Sequence, residues 1–171
     1  MPEGEQERKT KMQRQEEKQV REKKMVFMMG APASGKSTIA QTLHLRIIDS
    51  DAIKERHPDY DPENPSVLHQ WSAVEMEKEF QLALKQDESV VIDGTGANSD
   101  RTVRRVTEAK ANGFRTELLY VTASLKTCLA RNMRRPRHVA DEIIISKYHD
   151  VKYAFEIVAK YVDSVRVVDN E

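Results

Sequence analysis

The feature that most restricts the fold is a short apolar run joined directly to a glycine-rich loop. Residues 25–29 (MVFMM) are continuously apolar, and residues 30–38 follow them as GAPASGKST. Continuous apolar runs of this length are typical of strands buried on both faces of a parallel sheet. The loop fits the pattern G-x-x-x-x-G-K-[ST] at every fixed position. The sequence therefore predicts a strand, a tight loop and a helix that begins near Lys36.

The fixed residues of this loop meet the physical requirements of a phosphate-binding site. Gly30 and Gly35 let backbone N–H groups approach phosphate oxygens closely, and the following helix directs its positive end toward them. Lys36 can reach the β- and γ-phosphates, and the Ser37 hydroxyl can bind Mg²⁺. We predict a nucleoside triphosphate site with Mg²⁺. The predicted nucleotide-binding residues are Gly30, Ala33, Ser34, Gly35, Lys36, Ser37, Thr38 and Arg135.

Later apolar runs repeat the strand signal and alternate with helical patterns. The further runs are residues 46–49, 90–93, 117–122 and 165–168. The helical patterns cover residues 66–86, 99–112, 124–135 and 141–161. This alternation predicts an α/β fold in which a parallel sheet has helices on both faces. Ligands of such sheets bind beyond the carboxyl ends of the strands, so the residues that follow each run are site candidates.

Composition excludes several classes of protein. The chain has 171 residues, the length of one domain, and 28 Lys and Arg balance 28 Asp and Glu. There is thus no overall charge of the kind that marks a dedicated nucleic-acid or anionic-membrane binder. No apolar run is long enough for a transmembrane helix, and the charged N-terminus is unlike a signal peptide. The lone Cys128 is expected to be a buried, reduced thiol, which favours a cytoplasmic location.

The first 24 residues differ from the rest of the chain. They contain eight basic and six acidic residues, and only Met12 and Val20 are clearly apolar beyond the start. Such a segment buries too little apolar surface to fold alone, so we expect it to be disordered or a solvated helix. Its excess of positive charge could instead help to hold nucleic acid or a partner protein. Residues 25–171 are expected to form the functional domain.

An acidic residue follows the second apolar run, at the edge of the sheet where ligands bind. Asp51 comes two residues after Asp49, which ends that run. The Asp51 carboxylate could accept the proton of an attacking hydroxyl, hold Mg²⁺ through water, or cap a helix expected over residues 52–56. Asp49 lies closer to the strand and is expected to be structural.

The third apolar run ends in Asp93 and continues as GTG. An aspartate at the end of a strand beside the phosphate-loop strand fits a Walker B role, in which it binds Mg²⁺ directly or through water. An ordinary turn after the strand is the alternative. The predicted metal ligands are therefore Ser37 and Asp93. Thr95 adds a hydroxyl between two glycines that permit a ligand to approach closely.

Four arginines and no acidic residue lie within residues 131–137. Guanidinium groups bind phosphate oxygens bidentately and stabilise charge that develops during phosphate transfer. We predict a lid over about residues 131–139 that closes on the phosphates and excludes water. The alternative is a solvated basic face, and four arginines cannot all reach one phosphate. The chain has no Asn-Lys-x-Asp guanine motif, which argues against a GTPase and favours a small kinase.

Together these segments resemble the zeta-toxin-like and polynucleotide-kinase-like P-loop kinases. The resemblance is carried by GAPASGKST, IDSDAIKERHPDY, VVIDGTG and LARNMRRPRHVADE, and it extends over about residues 25–168. It implies a P-loop NTPase three-layer sandwich with a five-stranded parallel sheet in the order 2-3-1-4-5. It also implies ATP as the phosphate donor, with Mg²⁺, and a hydroxyl group as the acceptor.

The resemblance further implies roles for individual residues. Asp51 would activate the acceptor hydroxyl, and Glu77 falls near the place where these kinases present an acidic residue to the acceptor. The implied catalytic residues are Asp51, Lys36, Arg131 and Arg137. The implied acceptor-binding residues are Asp51, Glu77 and Thr95.

Departures from the family pattern leave the acceptor open. The segment between Lys36 and Asp51 is shorter than usual, so a brief helix is expected there. The chain also ends soon after the fifth run, without the elements that build the nucleotide-sugar pocket of larger zeta toxins. A polynucleotide 5′-hydroxyl or a modified base is the favoured acceptor. The alternatives are a small molecule such as a nucleotide sugar, and a non-catalytic nucleotide-binding switch module.

Overall fold

The computed structural model of the chain describes residues 2–136 and 139–171. The strands are β1 Lys24–Met29, β2 Arg46–Asp49, β3 Val90–Asp93, β4 Arg115–Thr122 and β5 Ser164–Asp169. The helices are α1 Pro2–Arg21, α2 Lys36–Gln41, α3 Ser50–Glu55, α4 His69–Lys85, α5 Ser99–Ala111, α6 Leu125–Met133 and α7 Asp141–Val158. A 3-10 helix, Pro65–Leu68, leads into α4.

All five strands are parallel, and the sheet has the order β2-β3-β1-β4-β5. The central strand is β1, in which Phe27 lies opposite Ile92 of β3 and Leu118 of β4. At the carboxyl edge, Asp49 of β2 lies opposite Asp93 of β3. The predicted fold class and strand order are confirmed. The register brings the acidic residues of two neighbouring strands to the same edge as the loop that follows β1.

Different helices bury the two faces of the sheet. On one face Phe27 packs with Phe80 of α4 and Val151 of α7. On the other face Val26 packs with Ala40 of α2. These side chains are all almost completely buried, and burying a large apolar side chain contributes about 1.5–3 kcal/mol. Because β1 is buried from both sides, the loop at its carboxyl end starts from a rigid strand.

Two predicted helices begin two or three residues away from the observed start, and the helices predicted to end at residues 135 and 161 end at Met133 and Val158. The helix after β2 begins at Ser50, and its N-cap is Asp49, whose carboxylate accepts a hydrogen bond from the Asp51 N–H at 3.0 Å. The alternative that Asp51 caps this helix is therefore wrong, because Asp51 already lies in the first turn. The helix expected from residue 66 begins at His69, after the 3-10 turn that Pro65 starts.

The described N-terminal residues form one long, polar helix. The side chains described in α1 are exposed, including that of Met12. The backbone is helical over Pro2–Arg21, which is one of the two states that the sequence predicts for this segment. Cys128 is buried in α6, as expected. Among the described residues, no helix has both the length and the apolar character needed to cross a bilayer.

Candidate functional site

The loop of residues 30–38 is shaped by close backbone contacts. A Cβ atom on Gly30 would lie 2.7 Å from both Ser34 Oγ and the Val121 carbonyl oxygen, so no side chain fits there. Ala33 and Gly35 both have positive φ, 64° and 95°. The Gly30 N–H donates to the Thr95 carbonyl at 3.1 Å, which ties this loop to the loop after β3. The Ser34 hydroxyl is buried and has no hydrogen-bond partner among the described residues, so it remains available to a ligand.

Lys36 lies at the first position of α2 and folds back over the loop. Its Nζ donates to the Ala31 carbonyl at 3.0 Å. Burial lowers the pKa of Lys36, while Asp93 raises it and Arg135 lowers it. The ammonium group therefore lies within electrostatic range of an acidic residue of β3 and of an arginine beyond α6. Ser37 and Thr38, the next two residues, are exposed at the start of the helix.

The Asp93 carboxyl group at this edge has a raised pKa. Its side chain is buried at the end of β3, and burial together with the nearby Asp49 raises its pKa to about 6, while Lys36 acts in the opposite direction. Asp51 also contributes to raising this pKa, which places it within electrostatic range of Asp93. Asp93 and Asp51 thus both act on Lys36 at the mouth of the loop, and Asp49 lies beside Asp93 on the neighbouring strand. A cation in this cluster would relieve their mutual repulsion.

The donor set fits Mg²⁺ that is held mainly by phosphate and water. In the part of the chain that the structure describes, no three His, Cys, Asp or Glu side chains are grouped so that they alone could hold a metal ion. Mg²⁺ typically retains several waters and takes only one or two protein ligands beside the substrate phosphates. Ser37 and Asp93 suit that arrangement, and their assignment as metal ligands stays a prediction.

Asp51 is placed where an acceptor could reach it. It lies exposed in the first turn of α3, and its backbone N–H is already used by Asp49. Thr95 is half-buried in the loop after β3, where its hydroxyl accepts from the Ala97 N–H at 3.3 Å. Asp51 and Thr95 therefore lie at the same edge of the sheet as the phosphate loop. Their roles in acceptor binding stay predictions.

The arginine-rich segment reaches the phosphate loop through one well-anchored residue. Arg131, in the last turn of α6, donates to the carbonyls of Ser34 at 3.3 Å and Asn170 at 2.6 Å. Arg135 is exposed and close enough to Lys36 to lower its pKa. Arg137 lies outside the described residues.

The Asn132 side chain holds the beginning of the same segment against Val139. It donates to the Val139 carbonyl at 2.6 Å and accepts from the Val139 N–H at 2.9 Å. This buried amide holds the two ends of residues 132–139 together. Closure of a lid over the phosphates stays a prediction.

Glu77 is engaged in an ion-pair network between α4 and α5. Arg104 binds both of its carboxylate oxygens, at 3.2 and 2.9 Å, and the largely buried Arg105 donates to it at 3.3 Å. The Gln81 amide donates to it at 3.1 Å. The bonds from Arg104 outweigh partial burial and hold the pKa of Glu77 at about 2. These contacts support a structural role for Glu77, and its acceptor-binding role stays a prediction.

Replacing Glu77 with glutamine should destabilise the protein in a pH-dependent way. The folded state lowers the pKa of this carboxyl, so its contribution is complete above the unfolded pKa near 4.5 and is lost as the pH falls toward 2. Because the side chain is one-third exposed, we expect a loss of only about 1–2 kcal/mol at pH 7. Urea unfolding from pH 7 down to pH 2.5 measures it.

Glu75→Gln is the matched control for this experiment. Glu75 lies on the same helix and forms a single pair with Lys78 at 2.9 Å. Pairs of this kind contribute roughly 0.2–0.5 kcal/mol. A Glu77→Gln effect that matches the control, or that does not shrink below pH 4.5, would contradict the network's role.

A cavity of about 370 Å³ opens beside the phosphate loop. It lies between Ala31, the end of β4 and α7, and its wall includes the aromatic side chains Tyr120, Tyr148 and Phe155. Tyr120 and Phe155 are stacked with ring centroids 4.5 Å apart. Lys152 belongs to the same wall. No sequence motif marks this cavity, because its residues come from β4 and from α7, about 30 positions apart.

Comparison with known proteins identifies the family. A sequence model described as zeta toxin matches residues 6–171. The chain belongs to the zeta toxin family. This confirms the resemblance inferred from the motifs. No curated protein matches this zeta toxin family member in sequence.

Solved structures with the same fold include a chain from a toxin–antitoxin system, a chain from a two-protein complex and a nucleoside kinase. A chain of the PezAT chromosomal toxin–antitoxin system of Streptococcus pneumoniae has a TM-score of 0.67 at 16% identity, over 86% of this chain and 68% of that one. A chain of the AvrRxo1-ORF1:AvrRxo1-ORF2 complex has a TM-score of 0.69 at 16% identity, over 86% and 55%. Deoxyadenosine kinase from M. mycoides with bound dATP has a TM-score of 0.53 at 19% identity, over 86% and 91%. At these identities the likeness shows the fold alone.

Proposed function

We propose that this zeta toxin family member is a kinase that uses ATP and Mg²⁺ to phosphorylate a hydroxyl group of a nucleotide-like or nucleic-acid acceptor. The observation that carries the proposal is the grouping of Lys36, Asp93 and Asp51 at one edge of the sheet, beside the phosphate loop. A protein that only bound nucleotide would not need an exposed carboxylate across from its phosphate loop.

Each residue has a defined task in the proposed reaction. The loop amides and Lys36 hold the donor phosphates, and Arg131 offsets negative charge on them. Ser37 and Asp93 would hold Mg²⁺ beside the phosphates, where the metal would supply positive charge. Asp51 takes the proton from the acceptor hydroxyl while the oxygen of that hydroxyl bonds to the γ-phosphorus. The bond between that phosphorus and the β–γ bridging oxygen breaks, and ADP leaves.

The cavity beside the loop suits the planar base of a nucleotide-like ligand. Its volume of about 370 Å³ falls in the range of small-molecule sites, and aromatic side chains on its wall suit a planar ring. The neighbour with bound dATP is described as a deoxyadenosine kinase, so the same fold carries out phosphate transfer to a nucleoside in that protein. The end of a nucleic-acid strand would additionally bind the exposed Arg134 and Arg135 through its phosphate backbone.

The test is transfer of label from γ-labelled ATP with Mg²⁺ to a panel of acceptors. The panel contains 5′-hydroxyl DNA and RNA, duplex DNA, nucleosides and nucleotide sugars. We expect label on at least one acceptor. Label released only as phosphate would indicate an ATPase. Nucleotide binding without either product would favour a switch module, and both results would contradict the kinase proposal.

Salt dependence separates the two classes of acceptor. Binding to nucleic acid releases counterions, so the apparent affinity for a polynucleotide should fall steeply between 50 and 200 mM salt, as is typical of phosphate contacts. We expect this behaviour for a 5′-hydroxyl oligonucleotide if it is the acceptor. An affinity that hardly changes with salt would point to a small-molecule acceptor such as a nucleotide sugar. The KM for the acceptor at each salt concentration is the measurement.

A further inference from the structure

The residues that follow β5 lie directly against the phosphate loop. The Asn170 N–H donates to the Thr122 carbonyl at 2.7 Å, at the end of the pairing between β4 and β5. The Asn170 side-chain amide donates to the Ser34 carbonyl at 2.8 Å. A Cβ atom on Gly35 would lie only 2.1 Å from this amide nitrogen. Asn170 thus occupies space that a side chain at Gly35 would need.

Arg131 joins Ser34 and Asn170 in a junction of three residues. Its guanidinium donates to the backbone carbonyls of both Ser34 and Asn170. The Ser34 carbonyl therefore accepts one hydrogen bond from Asn170 and one from Arg131. The three residues belong to the phosphate loop, to the segment after β5 and to α6, so the junction connects three separate elements.

Glu171 anchors the same segment to the start of α6. Its carboxylate accepts from the Ser124 N–H at 2.7 Å, from the Ser124 hydroxyl at 2.8 Å and from the Thr127 hydroxyl at 2.5 Å. Helix α6 is therefore held to this segment at both ends, through Glu171 at its beginning and Arg131 in its last turn. The position of Asn170 is set by contacts on either side of it.

The Ser34 carbonyl controls the direction of a phosphate-loop donor. In a trans peptide the C=O and the following N–H point in opposite directions, and this chain has no cis peptide bond among its described residues. Two donors that hold the Ser34 carbonyl therefore also set the direction of the Gly35 N–H. Donors arranged before the ligand binds lose less freedom on binding, and the ligand is held more tightly.

We propose that Asn170 is a positioning residue that orients the Ser34–Gly35 peptide and Arg131 for the phosphates of ATP. Its side chain acts through these two groups and not by contact with the reacting atoms. The inference rests on the proposed function only for the identity of the ligand. It predicts that the loss of the Asn170 amide weakens the binding of any polyphosphate, whatever is attached to it.

Calorimetric titration of Asn170→Ala with Mg²⁺–ATP and with Mg²⁺–tripolyphosphate tests the proposal. We expect both affinities to fall by the same factor, roughly fivefold to tenfold, as for one lost hydrogen bond. A loss for ATP alone would indicate a contact with the nucleoside and would overturn the proposal. So would wild-type affinity for both ligands. Asn170→Asp, which keeps the shape of the side chain but not the N–H, should also weaken both.

Asn112→Ala is the matched control. Its amide also donates to a backbone carbonyl, that of Glu108, at 2.8 Å, but it lies at the end of α5. We expect this variant to bind both ligands like the wild type, and thermal melting shows whether each variant is folded. If Asn112→Ala weakened binding as much as Asn170→Ala, the effect would be one of general stability and the proposal would be wrong.

A double-mutant cycle with Arg131→Ala examines the shared carbonyl. Both side chains act on Ser34, so the loss in the double variant should be smaller than the product of the two single losses. Losses that multiply would mean that Asn170 and Arg131 act separately, which contradicts the proposal. Because binding is measured without an acceptor, a wild type that binds ATP but phosphorylates nothing would contradict the proposed function alone.

Discussion

Asp51→Asn is expected to reduce phosphate transfer by roughly 10²–10⁴-fold, the usual contribution of a general base. The affinity for Mg²⁺–ATP should stay close to that of the wild type, because Asp51 is exposed on α3 and lies outside the phosphate loop. Asparagine keeps the shape of the side chain and removes its ability to take a proton. Label transfer to the acceptor and calorimetric binding of Mg²⁺–ATP measure the two effects separately.

Asp100→Asn is the control for this substitution. Asp100 is the second residue of α5, as Asp51 is the second residue of α3, and each helix is capped by the side chain of the residue before it. The control should leave both transfer and ATP binding unchanged. If Asp51→Asn lost transfer and ATP affinity equally, the assignment of Asp51 as the base would be wrong.

Lys36→Met is expected to weaken both ATP binding and transfer, with the larger effect on transfer. Methionine keeps much of the aliphatic length but not the charge. Hydrogen bonds to charged groups are worth more than neutral ones, so we expect roughly a tenfold to hundredfold loss of Mg²⁺–ATP affinity. Transfer should fall further, because the negative charge on the bridging oxygen grows as the phosphate moves.

Lys85→Met tests whether the loss of one positive charge is enough to produce this result. Lys85 is exposed in the last turn of α4. We expect wild-type binding and transfer for this variant. A Lys36→Met protein that bound Mg²⁺–ATP as tightly as the wild type would show that the lysine does not hold the phosphates.

Short-range patterns predicted the strands and the phosphate loop well. The runs at residues 25–29, 46–49 and 90–93 read as strands because a strand buried on both faces must be apolar throughout. Each lies within an observed strand that begins no more than one residue earlier. The fold class followed from their alternation with helices. The strand order came from the family resemblance, since no local pattern states which strand lies beside which.

Residues far apart in the chain account for what sequence reasoning missed. Asn170 belongs to no motif, and it is not among the site residues predicted from the sequence. Its contact with Ser34 spans 136 positions. The partners of Glu77 were missed for a similar reason, because Arg104 lies 27 positions away on another helix.

The sequence alone determined the elements, the phosphate loop and the residue types at the edge of the sheet, because periodicity, burial and glycine geometry act over a few neighbouring residues. Only the tertiary structure decided which of those residues lie close enough to shift one another's pKa, and which already form ion pairs or hydrogen bonds within the protein. Parallel pairing placed Asp49 beside Asp93, and burial there raised the pKa of Asp93 to about 6. Packing of α4 on α5 engaged Glu77, and the end of β5 brought Asn170 to the loop. These contacts depend on distances in space, which the order of residues along the chain does not express.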